Sequence, residues 1–309
     1  MLNLTGKKVI VTGSTRLIGR AVVDVLKQRN AIIIEALHSD YDLTRYADTM
    51  DLFDQANGDY LINLCGYNGG IDFNRQYPAD IFYRTSLMNL NVLNAARIYG
   101  VAKVVSVLSS CSYPDRIPVL KEEDLWAGAC NSTVECHGTA KRLLDVFSRT
   151  LRSEYGLNVV TVIMNNSFGP YDSIDPIKTK VIMGLIKKYV DAKEKNLPQV
   201  LNWGDGSPLR QFIYSKDAAE GLVQVLEQYE GTFPINLSSD VEISIKDLAA
   251  KISDLVGYQG TTVWDINKPN GQMRKFLDLT KMKSHLNIPF TNFDIALKET
   301  IEWYSQCKK

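Results

Sequence analysis

The sequence lacks the features that mark membrane proteins and nucleic-acid-binding proteins. No apolar run approaches the roughly 18 residues that a membrane-spanning helix needs, so we expect no transmembrane segment. The 35 basic residues balance the 35 acidic ones, so the net charge offers no general attraction for nucleic acid or anionic lipid. We therefore expect neither nucleic acid nor a membrane among the partners.

Cysteine is scarce, and a secretory leader is not evident. The five cysteines are odd in number and show no framework spacing, which argues against a disulfide-stapled secreted fold. The opening residues, MLNLTGKKVIVTG, lead directly into a β-branched strand and lack the charged and apolar regions of a signal peptide. We expect a cytoplasmic protein with reduced thiols, and we assign no metal site.

The chain is long enough for two structural units. Its 309 residues exceed the size at which one hydrophobic core usually stops growing. Strands and helices alternate in the first half, and the strands are almost continuously apolar, which is typical of a parallel sheet covered on both faces. The prediction is an α/β fold: a Rossmann-type doubly wound parallel sheet with a smaller mixed α/β C-terminal lobe. We divide the chain into a dinucleotide-binding domain at 1–168, to which 211–240 returns, and a mainly substrate-binding lobe at 169–309.

Hydrophobic periodicity places the individual elements. In the first half it predicts strands at 7–12, 31–37, 59–65, 101–108 and 157–163, and helices at 17–29, 44–56, 79–99 and 138–155. In the second half it predicts helices at 176–195, 215–229, 244–256 and 291–306, and short strands near 199–202 and 211–214.

The turn between the first strand and the first helix indicates a dinucleotide site. Gly13 and Gly19 frame it, which lets the backbone turn tightly and approach a pyrophosphate at the helix N-terminus. The usual middle glycine is missing, because Arg16 and Leu17 occupy the places where it could stand. Arg16 favours the 2′-phosphate of NADP, whereas Glu35, about 20 residues further on, favours the ribose hydroxyls of NAD. We expect NADP(H), and Glu35 keeps NAD(H) open.

Six segments carry a resemblance to a known family. They are TGSTRLIG at 12–19, GGIDFNRQYPADIFY at 69–83, LSSCSYP at 108–114, NSFGPYD at 166–172, WGDGSPLRQFIYSKDAA at 203–219 and VGYQGTTVWDINKPNGQMRKFLD at 256–278. With these segments the chain resembles the extended short-chain dehydrogenase/reductase family, and within it the GDP-fucose synthase branch, over nearly its whole length.

The resemblance implies binding roles by position. The residues that would contact the cofactor are Gly13, Thr15, Arg16, Leu17, Ile18, Gly19, Asp42, Leu43, Leu64, Cys65, Gly66, Thr85, Lys141, Met164, Asn166 and Ser167. Those that would contact the substrate are Ser110, Asn166, Lys188, Trp203, Arg210 and Lys268. Arg210 follows a Gly-Asp-Gly-Ser-Pro turn, and a diphosphate needs such fixed cations.

Some of the catalytic positions carry the residue that the family resemblance implies, and others do not. By resemblance, Ser109 would bond the C4 oxygen of the sugar, Cys111 would act in C3/C5 epimerisation, and Lys141 would hold the nicotinamide ribose. The family's proton-donating tyrosine stands four residues before this lysine, where VECHGTAKR places His137. Lys180 stands where the family has the histidine partner of the cysteine. We count all five among the catalytic candidates, and we expect epimerisation to be altered or absent.

These residues lead to a ranked set of functions. The first is an NAD(P)H-dependent C4 ketoreductase of a nucleotide-linked 4-keto sugar, a GDP-4-keto-6-deoxy sugar or heptose, in surface-polysaccharide sugar synthesis. The alternatives are a bifunctional 3,5-epimerase/4-reductase, a nucleotide-sugar binding protein that has lost hydride chemistry, and an epimerase or isomerase that oxidises its substrate transiently. The amphipathic helices at 79–99 and 138–155, together with the resemblance, predict a homodimer.

Overall fold

The computed structural model describes residues 2–268, 270 and 272–308, apart from the side chain of residue 71. Its first half alternates strands and helices, in the order β1 (Lys8–Thr12), α1 (Leu17–Gln28), β2 (Ile32–Ala36), α2 (Tyr46–Ala56), β3 (Tyr60–Asn63), α3 (Ile71–Gln76), α4 (Pro78–Ile98), β4 (Lys103–Ser109), α5 (Glu135–Tyr155) and β5 (Asn158–Met164). Short 3₁₀ turns at Ser110–Ser112 and Glu122–Trp126 lie between β4 and α5.

The second half has shorter strands. Its elements are β6 (Asn166–Phe168), α6 (Val181–Glu194), β7 (Gln199–Trp203), β8 (Leu209–Tyr214), α7 (Ser215–Gln228), β9 (Ile235–Leu237), β10 (Glu242–Ser244), α8 (Ile245–Val256), β11 (Thr261–Asp265), β12 (Arg274–Lys275), α9 (Thr280–His285) and α10 (Phe293–Cys307).

The main sheet is parallel and has six strands in the order β2-β1-β3-β4-β5-β9. Successive residues Val9, Ile10 and Val11 of β1 are all fully buried. Since neighbouring side chains of a strand point to opposite faces, both faces of this sheet are covered. The strand order reverses between β1 and β3, and ligands of open α/β sheets bind at the carboxyl ends of the strands beside such a point. The predicted Rossmann-type α/β fold is confirmed.

Two hydrophobic clusters divide the described core. The first surrounds the main sheet and includes residues of α1, α7 and α9. The second lies among α6, α8 and α10 and the four-stranded sheet of β6, β8, β10 and β12, and it contains Phe168, Tyr189 and Phe212. Of the segment 211–240, residues 211–214 lie in the four-stranded sheet, whereas α7 packs on α1 and β9 joins the main sheet. The domain boundary at 168 stays a prediction.

Most predicted elements occur within a few residues of their expected bounds, with one difference that affects the site. The helix expected from 176 begins at Val181, because Asp175 forms a turn instead. Its carboxylate accepts the Ile177 amide, and its carbonyl accepts the amides of Lys178 and Thr179. Lys180 therefore stands as an extended residue directly before α6. The elements α3, α9 and β12 are too short for periodicity to show.

In the described part of the chain, no helix combines the length and apolar composition needed to cross a bilayer.

Candidate active site

The loop after β1 closes so tightly that two of its positions require glycine. Gly13 has φ +68°, in the left-handed region, and a Cβ there would lie 3.3 Å from the Leu64 carbonyl oxygen. A Cβ on Gly19 would lie 2.0 Å from the Gly13 carbonyl oxygen and 2.5 Å from the Cα of Ser14. The first turn of α1 therefore packs directly on the backbone of the loop, and neither Gly13 nor Gly19 has room for a side chain.

The N-terminus of α1 suits an anion. Arg16, exposed just before the helix, makes no side-chain capping bond, and the first turn contains no acidic residue. The Ser14 hydroxyl is buried without a hydrogen-bond partner among the described residues, and such a buried group calls for a partner. The Leu17 amide donates to the Tyr171 carbonyl at 3.2 Å. This cradle fits the diphosphate of a dinucleotide.

The end of β2 holds the residues that bear on cofactor choice. Glu35 is half-buried in β2, and it makes neither a side-chain hydrogen bond nor an ion pair among the described residues. The Asp42 carboxylate accepts both the hydroxyl and the amide of Thr44, at 2.7 and 3.0 Å. These two bonds lower the pKa of Asp42. Leu43 is buried beside it, with its carbonyl bonded to Asn91.

The segment after β3 is fixed next to this loop. The Thr12 hydroxyl accepts the amides of Leu64 and Cys65, at 3.0 and 3.2 Å. Gly66 follows and is exposed. A Cβ built on Gly66 would lie 3.7 Å from the Lys141 ammonium. The buried Thr85 hydroxyl of α4 bonds to the backbone of Tyr67, which holds the next residue of the segment.

Lys141 of α5 connects this segment to β4. Its buried ammonium donates to the carbonyls of Cys65 and Val107, at 3.0 and 2.8 Å. Burial lowers the pKa of Lys141 and raises the pKa of the Cys65 thiol to about 11. Two neutral carbonyls thus satisfy the cation and leave one of its three protons for a ligand.

His137 lies one turn earlier on α5, in the first turn of the helix. It is 5% exposed, and its Nδ1 has no hydrogen-bond partner among the described residues. Burial, with Lys141, Lys180 and Lys275 nearby, lowers the pKa of His137 to about 3. The positive end of the helix dipole acts in the same direction. His137 is therefore a neutral imidazole at physiological pH, able to donate a hydrogen bond but not to act as an imidazolium acid.

Ser109 and Cys111 follow β4 at the same edge of the sheet. The Ser109 hydroxyl accepts the Cys111 amide at 3.2 Å and so caps the 3₁₀ turn. The turn rests on α5, since a Cβ on Gly138 would lie 2.3 Å from the Cys111 carbonyl oxygen. Gly138 thereby lets α5 approach closely and brings His137 to the turn that carries Cys111.

A polar network that the sequence did not reveal lies beneath this turn. Buried Asn165 accepts the Ser110 hydroxyl at 3.1 Å and the Asn166 amide at 3.1 Å. Its side-chain amide donates to Oε1 of the Gln211 side chain at 3.0 Å, which links the main sheet to β8. Met164 and Ser167, on either side, are buried. The Ser110 hydroxyl donates its single proton to Asn165, and the contact of Ser110 with substrate stays a prediction.

Lys275 is the site residue that sequence reasoning missed. Its ammonium donates to the Cys111 sulfur at 3.3 Å. Burial alone would raise the pKa of the Cys111 thiol, but Lys275, the Ser109 hydroxyl and Lys180 outweigh it, and the pKa is lowered. The residue stands in one of the segments that carry the resemblance, yet only the pairing of β12 with β8 brings it to Cys111.

Lys180 is exposed and makes no hydrogen bond to Cys111. It lies near Asp172, whose carboxylate is buried with one oxygen unpartnered among the described residues. Burial raises the pKa of Asp172, and Lys180 opposes that rise. Lys180 therefore lies close enough to act electrostatically on Cys111, His137 and Asp172, and it makes no hydrogen bond or ion pair with any of them.

The predicted substrate residues lie on the C-terminal lobe. Lys188 donates to the Leu201 carbonyl at 2.9 Å and to Asn202 at 3.2 Å, and its pKa is lowered by burial. Trp203 is 53% exposed, with the Lys268 ammonium 5.5 Å from its ring centre. Arg210 is half-buried on β8, opposite Lys275 in the strand pairing, and burial lowers its pKa.

These cations share one electrostatic property. In the part of the chain that the structure describes, none of them forms an ion pair with a carboxylate; they are Arg16, Lys141, Lys180, Lys188, Arg210, Lys268 and Lys275. Cations without counterions favour an anionic ligand, most of all Lys141, Arg210 and Lys275, which are at least partly buried.

A wide cavity elsewhere lacks this property. It encloses about 640 Å³ between the first residues and the ends of α1 and α7. Its one guanidinium, Arg29, is paired with Glu220 and Glu227, at 2.5 and 3.1 Å. It therefore has no free positive charge for a nucleotide, in contrast to the carboxyl edge of the main sheet.

The comparisons agree with this geometry. Residues 9–237 match the family described as the NAD dependent epimerase/dehydratase family. Relatives include a putative GDP-L-fucose synthase 2 of Arabidopsis thaliana, 32% identical over 96% of this chain and 91% of the relative. Another is a GDP-L-fucose synthase of Sinorhizobium fredii, 33% identical over 98% and 96%.

A solved structure extends the agreement to three dimensions. The GDP-L-fucose synthetase of Naegleria fowleri bound to NADP is 29% identical, covers 100% of this chain with 97% of its own, and superposes with a TM-score of 0.91. The match covers both lobes. From the extent of these matches, this chain belongs to the NAD dependent epimerase/dehydratase family.

Proposed function

We propose that the protein is an NADPH-dependent C4 ketoreductase acting on a GDP-linked 4-keto sugar. The observation that carries the proposal is that Lys275, a cation without a counterion among the described residues, reaches from β12 to Cys111 beside Ser109 at the carboxyl edge of the sheet, with Arg210 opposite it in the strand pairing. A dinucleotide cradle on one side and an anion site on the other are what a reductase of a nucleotide-linked substrate needs.

The residues present fit the cofactor. Gly13, Gly19 and the N-terminus of α1, which has no side-chain cap, would hold its diphosphate, and Arg16 would contact the 2′-phosphate. Lys141 would hold the nicotinamide ribose with the proton that Cys65 and Val107 leave free. When bound, NADPH supplies the hydride for the carbonyl carbon. The NADP of the Naegleria fowleri relative supports this choice over NAD.

Ser109 and His137 would act on the carbonyl oxygen. The Ser109 oxygen accepts the Cys111 amide, so the hydroxyl proton is shared between the Cys111 sulfur and the carbonyl oxygen of a bound substrate. His137, held neutral, would donate a ring N–H to the developing oxyanion directly or through a water molecule. A neutral imidazole as the electrophile at a helix N-terminus has a precedent in isomerase chemistry.

The other cations would hold the nucleotide. Arg210 and Lys188 would contact the diphosphate, Arg210 in a bidentate manner. Trp203, with half of its surface exposed, offers a face on which a purine base can stack. Guanine is the base named in the relatives, which is why we choose a GDP-linked substrate.

Turnover tests the proposal. The purified protein is mixed with NADPH and GDP-4-keto-6-deoxymannose, and the loss of NADPH absorbance is followed with GDP-mannose as the control substrate. We expect absorbance loss only with the keto sugar. Binding of both ligands without turnover would overturn the reductase and favour a nucleotide-sugar binding protein. Turnover of substrate without net NADPH loss would favour an epimerase or isomerase that oxidises transiently.

Cys111 supports a second candidate, the bifunctional 3,5-epimerase/4-reductase. Its sulfur is bonded to Lys275 and faces the same site, so a thiol able to exchange protons is present. Running the reaction in heavy water distinguishes the two functions. Deuterium at C3 and C5 with inverted configuration would establish the epimerase, and a product without label would exclude it.

We also propose that the protein is a homodimer. Helices α4 and α5 pack side by side, and large apolar or aromatic side chains stay exposed on them, including Tyr83 at 64%, Phe82 at 40% and Tyr155 at 54%. Two such pairs would cover these side chains in a four-helix bundle. Light scattering should give twice the chain mass, and Tyr83→Asp should give the monomer mass; a monomeric wild type would contradict the proposal.

A further inference from the structure

The Cys111 sulfur and the Lys275 ammonium form an isolated pair. Lys275 is only 9% exposed, and the Cys111 sulfur, at 3.3 Å, is the one hydrogen-bond partner of its ammonium among the described residues. An ammonium held out of water is costly unless an anion or several oxygens compensate it. The contrast with Lys141 is direct, because that ammonium has two carbonyl oxygens.

The backbone fixes Lys275 in place. Its neighbour Arg274 forms a two-bond ion pair with Glu242 of β10, at 2.6 and 2.9 Å. The Leu277 amide donates to Gln211 at 3.0 Å, on the other side. Since neighbours in a strand point to opposite faces, the Arg274 ion pair directs Lys275 the other way, toward β4 and Cys111.

Cys111 is fixed as firmly. Its amide donates to Ser109, and its carbonyl oxygen lies against Gly138, so the turn cannot move without disturbing α5. Cys111 also lines a small cavity with Ser110, Asn131, Gln272 and Lys275, and the residue is half-buried.

The groups that act directly on the sulfur are positive or neutral, and the exposed carboxylate of Glu135 on α5 acts on Cys136 and Cys130. Lys275 approaches from β12 and Lys180 from the start of α6. Helix α5 and the segment before it contribute the neutral imidazole of His137 and the thiols of Cys136 and Cys130, whose pKa values are raised by burial. No carboxylate of the described chain forms an ion pair with either lysine.

We propose that Lys275 is a positioning residue that holds Cys111 as a thiolate, in a thiolate–ammonium pair at the reacting face of the site. The lowered pKa of Cys111 accords with this arrangement. Toward a carbon acid beside a ketone, such a sulfur is a base and not an acid. That consequence rests on the second candidate function, the epimerase/reductase, whereas the ionisation of the pair does not.

Alkylation of the free protein by iodoacetamide tests the pair without substrate or cofactor. The thiolate displaces iodide and forms an S–C bond, so the rate follows the thiolate fraction. The rate at Cys111 is measured from pH 5 to pH 10 by mass spectrometry of its peptide, which separates it from the other four cysteines. We expect a wild-type midpoint clearly below the ordinary thiol value of about 8.5.

The variants make the test specific. Lys275→Met should raise the midpoint by about one pH unit or more and lower the rate at pH 7 about tenfold. Lys275→Arg should keep the wild-type midpoint, because it restores the charge. Lys268→Met removes a lysine of the same lobe that lies over Trp203, and it should leave the midpoint unchanged.

A wild-type midpoint at or above 8.5, or a Lys275→Met midpoint equal to that of wild type, would overturn the proposal. Far-ultraviolet circular dichroism and thermal melting establish that each variant is folded. If Lys275→Met does not fold, the alkylation midpoints of the wild type and of Lys275→Arg test the proposal. An inactive protein with a low Cys111 midpoint would contradict the proposed function and leave the pair intact.

Discussion

The two sides of the site are built by different means. On the cofactor side, recognition comes from backbone: a glycine at φ +68°, a second glycine against the loop, and a helix start without a side-chain cap. On the substrate side, it comes from long cationic side chains such as Arg210 and Lys275, brought together by β8 and β12. The two glycines on the cofactor side have no room for an added methyl group, whereas ligand binding on the substrate side depends on the charge of the side chains.

Between the two sides lie two residues that differ from those the family resemblance predicts. They are His137 and Lys180, which stand where the resemblance predicts a tyrosine and a histidine. His137 fits there because it is buried and neutral. We therefore expect that residues between the two sides can change the proton transfer without changing the binding of the cofactor or of the anion.

The largest expected effect tests the backbone side. Gly19→Ala would place a methyl group 2.0 Å from the Gly13 carbonyl oxygen. We expect it to weaken NADPH binding at least about 30-fold and to lower the free energy of unfolding by about 1–3 kcal/mol, because the loop must move. Fluorescence titration and denaturant unfolding measure the two effects.

Gly184→Ala is the matched control. Gly184 lies within α6, and an added Cβ there meets nothing within 4 Å. Alanine should therefore leave NADPH binding unchanged and raise stability by about 0.5–1 kcal/mol. Equal NADPH affinities in the two variants would contradict the backbone account of the cradle.

The second effect concerns the group between the two sides. Because the pKa of His137 falls to about 3 in the folded protein, the unfolded chain, with an ordinary value of about 6.5, binds the proton first. Stability contributed by the neutral ring is therefore lost as the pH falls below 6.5 toward 3. From pH 7 to pH 5 this group should cost about 2 kcal/mol.

Denaturant unfolding at pH 7 and pH 5 measures it. His137→Gln should lose stability over this range by about 2 kcal/mol less than wild type does. His285→Gln, at an exposed site, should behave as wild type. An identical loss in wild type and His137→Gln would mean that His137 titrates normally in the folded protein.

The smallest effect concerns cofactor choice at the edge of the backbone side. Arg16 is exposed, so its contact with a 2′-phosphate is screened by solvent. Arg16→Ala should weaken NADPH binding about tenfold or less and leave NADH binding within about twofold. A loss that is equal for both cofactors would assign Arg16 to the shared diphosphate instead.

The contrast between the cofactor side and the substrate side also explains which parts of the site could be predicted from the sequence. Gly13 and Gly19 follow a β-branched strand and open a helix, so their function is local and the spacing indicates it. Cys111, Arg210 and Lys275 lie far apart in the chain, and β12 has only two residues. Periodicity cannot show so short a strand, and the Asn165 network that positions it joins segments 46 residues and more apart.

Calorimetric titration of Arg210→Met with GDP and with NADPH tests the separation of the two sides most directly. Arg210 is half-buried and unpaired in the described chain, so its loss should weaken GDP binding about 30-fold and leave NADPH binding within about twofold. That result would establish an anion site on the C-terminal lobe that is independent of the cofactor cradle. Equal losses for both ligands, or no loss for GDP, would contradict the account.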